Sequence, residues 1–278
     1  MSEEGEVQGA IRAVTDLVKA VPVYEDALQP AAKELGKALQ VVAKSVHIAL
    51  APVSALVWGY EQIRDFVSTK VAERLKDVPI EEIASPKANV AGPLLEALRY
   101  AGNEPGLSDL FANLLASSMD KRTAAGAHPA FVEIIRQLTA DEAKLVALFQ
   151  PNYNFPLLNV EWRFKPNQNG LTGGSTLLTN FSHLGKRAGC EYPHLVPTYI
   201  DNLCRLGLVE IPVHTHYTAQ GIYDELESDP EVVAIKKSIE RDPVRDCVLR
   251  RGLLLVTNMG QQFAEVCVLD RQSSRAQS

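Results

Sequence analysis

The chain has 278 residues, 46% of them hydrophobic and 22% charged, the balance of an ordinary globular protein long enough for two domains. Its formal net charge of −6 excludes a broad electrostatic grip on nucleic acid or anionic lipid and leaves only local basic patches. The four cysteines, Cys190, Cys204, Cys247 and Cys267, form no CxxC pair and stand at no zinc-finger spacing from a histidine. They read as reduced thiols of a cytoplasmic protein that binds no metal and calls for no cofactor.

The start, MSEEGEV, is acidic and has none of the features of a signal peptide. Val7, Ala10, Ile11, Val14, Leu17, Val18 and Val21 predict an amphipathic helix stopped by Pro22. After a short linker, residues 31–76 predict one long helix or two collinear ones, kinked at Pro52, which removes a hydrogen bond. His47 falls on its apolar side and reads as a packed residue. The uncharged stretch between Lys44 and Glu61 contains His47 and Pro52. It falls short of the roughly 20 apolar residues a spanning helix needs, so no membrane span is expected. Pro79 to Pro93 reads as a connector with one turn at IEEIA, and Leu94 to Ala101 as a short helix.

The strongest folding signal lies between Leu107 and Leu138. Leu107, Leu110, Phe111, Leu114, Leu115 and Met119 fall on one face of a helix. Pro105 and Gly106 precede it, Ser108 is placed to cap it and Asp109 suits its positive end. A polar turn containing Gly126 follows, and His128 and Pro129 open a second helix with Phe131, Ile134, Ile135 and Leu138 on its apolar stripe. This hairpin is expected at the centre of the core. Thr139 and Glu142 have the spacing of a capping box for the next helix.

At Pro151 the character changes. Leu158, Val160, Trp162 and Phe164 alternate as in a strand with its even positions buried. KPNQNGLTGGS reads as a surface loop; it is glycine-rich but has no P-loop lysine after the glycines. Leu177, Leu178, Phe181 and Leu184 predict a helix, and Tyr199, Leu203 and Leu206 a second one ending at Gly207. LVEIPV predicts a strand, His214 to about Arg251 a polar insertion, LLLV a second strand, and Thr257 the start of a last helix. The expected architecture is mainly α. An all-helical bundle over 1–150 precedes a small α+β winged-helix-like domain over 151–278, interrupted at about 214–251.

No nucleotide-binding, serine-hydrolase or zinc-protease motif is present. Asp109, Asn113, Asp120 and His128 are the weak catalytic candidates, since a histidine and carboxylates cluster about one turn; the same residue types serve as caps and turn residues. His214 and His216 alternate as some metal pairs do, without a third ligand. The predicted recognition helix, from His194 to Gly207, has one arginine, Arg205, and one aspartate, Asp201, too little positive charge for phosphate contacts. The local excess lies in Lys236, Lys237, Arg241, Arg245, Arg250 and Arg251, against Glu240, Asp242 and Asp246, a net of +3.

LRYAGNEPGLSDLFANLLASSMD followed by HPAFVEIIRQLTADEAKLV resembles the abortive-infection alpha family. AAKELGKALQ, YIDNLCRLGLVEI and VTNMGQQFAEVC add to the likeness, which covers roughly residues 25–268. Leu110, Phe111, Asn113, Leu114, Leu115, His128, Pro129 and Phe131 match the family's pattern. The resemblance implies a role in bacterial phage defence, in which an infected cell stops growing or dies before phage matures. It carries over no catalytic residue. The leading expectation is a non-enzymatic effector that works through protein partners or self-association. A nucleic-acid-binding regulator, a membrane-perturbing effector using residues 45–60, and a hydrolase built on Asp109, Asp120 and His128 are the alternatives.

Overall fold

A computed structural model describes residues 60–102, 104–149, 154–165, 170 and 172–268. The helices expected before residue 60, with His47 and Pro52, lie outside these residues, as does the segment proposed to meet a membrane. So do residues 166–169 and 171 of the glycine-rich loop. The described chain is mainly helical with an α+β part. It divides into two compact units, residues 60–143 with 265–268, and residues 144–264.

In the first unit, α1 runs over residues 60–75 and is α-helical except for a π turn at Val67–Val71. A 3₁₀ turn at Ile80–Glu82 occupies the connector where one turn was expected. α2, Ala88–Ala101, starts well before the predicted Leu94 and takes Pro93 into its body. Pro93 is the sixth residue of α2, past the first turn, so the helix forgoes the bond that an N–H there would make to the Asn89 carbonyl. α3 is Pro105–Met119 and α4 is Ala130–Arg136.

The hairpin of α3 and α4 is the core of this unit. Leu107, Leu110, Phe111, Leu114, Leu115, Met119, Phe131, Ile134, Ile135 and Leu138 are all buried, with Val67, Val71 and Leu75 of α1 and Leu94, Leu95 and Leu98 of α2. The α3 helix touches all three of the others. Ser108 does not cap it. Glu104 is the extended residue before the helix and Pro105 its first residue, which leaves Ser108 buried within the first turns. Past Met119 the chain extends at Asp120 and pairs with Ile83; the Ala84 amide donates to the Met119 carbonyl at 2.8 Å and the Lys121 amide to that of Glu82 at 2.9 Å. The capping box forms as the spacing predicts. The Thr139 amide donates to Glu142 Oε2 at 2.7 Å and the Glu142 amide to Thr139 Oγ1 at 3.2 Å, at the start of α5, Ala140–Val146.

The second unit is built on a four-stranded antiparallel sheet of β1 (Phe155–Phe164), β2 (Gly174–Phe181), β3 (Val209–Glu210) and β4 (Arg245–Val256), in the order β2-β1-β4-β3. Leu158 and Val160 are buried as the alternation predicts, but Phe155 and Leu157 are buried too. Both faces of β1 are therefore covered at its start.

Residues 177–181 form the end of β2 rather than the start of a helix. The spacing of Leu177, Leu178 and Phe181 fits either period over so short a run; pairing with β1 decides it. Asn180 takes a left-handed backbone (φ 53°), and its amide donates to Asn159 Oδ1 at 2.6 Å, where the β1–β2 register shifts. The second strand is also three times longer than LLLV. β4 begins at Arg245 because Cys247 and Leu249 alternate inward through a charged stretch and pair with Trp162 and Val160.

The polar insertion holds two helices, α8 (Asp224–Glu227) and α9 (Pro230–Glu240). In chain order they follow α6 (Leu184–Ala188) and α7 (Val196–Arg205), so α6 replaces the helix predicted from Leu177. Val232 and Ile239 of α9, with Leu226 and Tyr223, close over Leu158 and Val160. Gly207 ends α7 in the left-handed conformation (φ 73°), as predicted. Thr257 caps α10, Asn258–Phe263, by accepting from the Gly260 amide at 2.9 Å, and a π turn at Ala264–Val268 follows.

Candidate functional site

Asp109 and Asn113, four apart on α3, meet one guanidinium. Arg74 of α1 donates through Nη2 to Asp109 Oδ1 at 3.1 Å and through Nε to Asn113 Oδ1, and its Nη1 reaches the Lys70 carbonyl at 2.7 Å. Lys70 adds bonds to Asp109 Oδ1 at 2.9 Å and to Ser108 Oγ at 3.1 Å. The Asn113 amide group donates in turn to the Cys267 carbonyl at 2.8 Å, and Ser117 Oγ to that of Val266 at 2.9 Å. This face of α3 thus fastens α1 on one side and the C-terminal π turn on the other. Every side-chain nitrogen of Arg74 is already engaged, which suits a tie better than a reaction.

The other two candidates act elsewhere on the hairpin. Asp120 is buried and accepts from Arg122 Nε at 2.9 Å and Nη2 at 2.7 Å and from the Arg122 amide at 3.0 Å. The hydrogen bond to Asp120 raises the pKa of Arg122. His128 is exposed, and its Nδ1 accepts from the Ala130 amide at 3.1 Å, as a cap at the start of α4.

The six basic residues of 236–251 are dispersed. Lys236, Lys237 and Arg241 lie on or just after α9, and the other three on β4. Arg250 and Arg251, adjacent on a strand, point to opposite faces. Lys236 pairs with Glu240 at 4.0 Å, Arg245 with Asp242 at 3.1 Å, Arg250 with Glu161 at 2.8 Å and Arg251 with Glu227 at 2.6 Å. Arg245 also stacks over Trp162, 4.2 Å from the ring centroid. The net of +3 counted along the chain is therefore diluted by carboxylates brought from β1 and α8. His214 and His216 are both exposed. Among the described residues no group of three or more His, Cys, Asp or Glu could hold a metal ion. None of the described helices is long and apolar enough to cross a membrane.

Two polar features escape a reading by motif. The first is Asp229, which precedes α9 and accepts from the Glu231 amide at 3.0 Å, from His183 Nε2 at 2.9 Å and from Lys186 Nζ at 3.3 Å. The dipeptide Asp229-Pro230 is a helix-start signal, but nothing along the chain announces the partners on α6. Burial works to raise this carboxyl; the Glu231 amide, His183 and Lys186 outweigh it and hold the group below its ordinary range. A lowered folded-state value means that the stabilisation is present above the unfolded value and is lost as pH falls through the acid range. Asp229→Asn keeps a good cap but removes the charge. It is expected to lower stability by about 1–3 kcal/mol near neutral pH, with the difference closing below about pH 4; urea denaturation of both proteins across pH reads this directly.

The second is an open cleft of about 470 Å³ where β3 and the end of β4 meet α10, with Asn154, Glu210, Asn258, Met259 and Gln261 in its wall. It is polar, and no lysine or arginine lines it.

The model of the abortive infection alpha family matches residues 59–267, starting later than the likeness read along the chain. No curated protein matches. Among solved structures, an uncharacterized protein from the hydrocarbon-degrading marine bacterium Alcanivorax borkumensis SK2 is 22% identical, with 49% of this chain and 91% of that chain covered and a TM-score of 0.34.

Proposed function

Because the chain belongs to the abortive infection alpha family, we propose that it is a bacterial phage-defence protein that acts through contacts with other protein chains rather than by catalysis. The family match is the observation that carries the defence context. The non-enzymatic half rests on how the polar side chains are used: Asp109, Asn113, Asp120 and His128 are taken up by ties and caps.

The second unit supports the same reading. We read α6 and α7 as the helix-turn-helix pair and β3 with the end of β4 as the wing stem. Gly185 lets the two helices close, since a Cβ there would lie 2.6 Å from Val196 Cγ2 and 3.0 Å from Pro193 Cα. The exposed positions of α7 are Thr198, Asp201 and Arg205, one charge of each sign. A helix docking on duplex phosphates needs several cations.

Challenge of cells with a panel of phages, with and without the gene, tests the proposal. Fewer plaques, or early arrest of infected cells, are expected where the gene is present. Equal plaque numbers and equal host growth across the panel would refute the defence role. Saturable, steeply salt-dependent binding of the purified protein to DNA or RNA would overturn the protein-contact half.

A further inference from the structure

The sequence treats the two edges of the four-stranded sheet differently. At one edge, β3 is two residues long, carries Glu210 and is followed closely by Pro212. Shortness, charge and proline are the usual means by which a sheet edge is kept from pairing with another chain. At the other edge, β2 runs for eight residues, GSTLLTNF, with no charge and no proline. Strands β1, β3 and β4 all hold charged side chains.

Among the described residues no strand or loop is bonded to the outer side of β2. Helix α7 packs against the strand but leaves residues 174–177 and 179 exposed. Leu178 and Phe181 pack on the core beneath α9 and seat β2 firmly, whereas Leu177 is 52% exposed. A lone exposed leucine is ordinary. One at the middle of an uncharged free edge supplies a cross-strand contact for a strand added there. The register with β1 shifts on either side of Leu178. That bulge adds twist without setting a charge on the edge, and an identical strand has the same twist.

A second copy of the same edge fits β2 best. Two-fold pairing brings the strands together antiparallel, and each residue then meets one from the same stretch. With the axis at Leu177, Leu177 faces its own counterpart, Ser175 faces Thr179 and Thr176 faces Leu178. No like charges are opposed, although the whole chain carries −6. Selection of a foreign strand relies on charge or pocket matches, which β2 does not offer.

We propose that β2 is a self-association edge: two copies join β2 to β2 about a two-fold axis at Leu177 and form one continuous sheet. This deepens the protein-contact reading, on which its role in defence rests, by naming a second copy of the chain as the partner. One added strand pair buries less than a standard interface, so the dimer is weak and concentration-dependent.

Sedimentation of the full chain from about 5 to 500 μM, a range suited to a small interface, is expected to show a monomer–dimer equilibrium. Leu177→Lys should weaken it about tenfold or more, because two ammonium groups meet at the axis. Leu177→Glu should do the same. Both variants should unfold near the parent's midpoint, since the side chain is half exposed. Mixing them in equal amounts should restore the dimer, because lysine then meets glutamate. A chain that is monomeric throughout the range, a dimer undiminished by Leu177→Lys, or a mixture of folded variants that stays monomeric would each overturn the proposal. An edge reserved for a strand of another protein would give the first of these. Phage protection separates the pairing from the broader reading. A Leu177→Lys monomer that still protects overturns the pairing as the defence contact alone, whereas a chain that pairs but protects against no phage overturns the defence role alone.

Discussion

Gly260→Ala is expected to destabilise the second unit by about 3 kcal/mol, at the upper end of what overpacking usually costs. Thr257 starts α10 by holding the Gly207 and Leu208 carbonyls with its hydroxyl, at 2.6 and 3.2 Å, while its amide donates to Leu208 at 3.1 Å. This draws the first turn of α10 against the chain leaving α7. A Cβ on residue 260 would run into the Leu208 carbonyl oxygen and lie 2.9 Å from Val256 Cγ1. The oxygen belongs to backbone and cannot swing aside, so the helix must back away and break the cap. The ordinary helix preference, which favours alanine over glycine by up to about 1 kcal/mol, works in the opposite direction and is outweighed. Chemical denaturation should show a lower midpoint, with early loss of amide protection at residues 208–210 and 255–260. A midpoint equal to or above the parent protein's would show that the close approach does not exist.

Phe111→Ala should have the larger effect, about 3–5 kcal/mol. The ring is fully buried at the middle of α3, the helix that touches α1, α2 and α4. Truncation leaves a cavity that three surrounding helices cannot all close at once, because each is also held by its own contacts to the others. With a typical net stability of about 5–15 kcal/mol, the first unit would be left marginal. Phe111→Leu, which keeps most of the volume, should recover more than half of the loss. Asp109→Ala on the same helix removes two ion pairs with Lys70 and Arg74, but the carboxylate is half exposed and such pairs are worth up to about 1 kcal/mol. Thermal unfolding of the three variants should rank them Phe111→Ala, Phe111→Leu, Asp109→Ala from least to most stable. A Phe111→Ala protein as stable as Asp109→Ala would mean that α3 is not the centre of the core.

Much of the first unit was legible because its helices declare themselves locally. Three- and four-residue spacing places Leu107 to Met119 on one stripe whatever the rest of the chain does, and Thr139 with Glu142 forms its box from residues three apart. The cap assigned to Ser108 failed for an equally local reason. Pro105 can begin a helix itself, and it moved the cap position four residues earlier, from Ser108 to Glu104. In the second unit the error at Leu177 to Phe181 arose where five residues satisfy both periods. The strand there exists because β1 is available to pair with it, and β1 lies more than ten residues away.

The polar sites were less legible still. Asp109 and Asn113 stood out as a pair four apart, but what they do depends on Arg74, 35 and 39 residues distant. The basic run from Lys236 to Arg251 looked like a patch when counted along the chain. Glu161 and Glu227, outside the run in sequence, turned two of its three strand arginines, Arg250 and Arg251, into ion pairs. Asp229 could be recognised as a cap from Pro230 beside it, though not as the holder of His183 and Lys186.

By itself, then, the order of residues determined what short-range physics decides: the helical hairpin, the capping box, the glycine stop at Gly207, the helix start at Thr257 and the family. The tertiary structure alone decided which strands pair and which charges cancel. A helix turn closes among neighbours on the chain. A strand ladder or an ion pair depends on a partner whose position only the folded chain supplies.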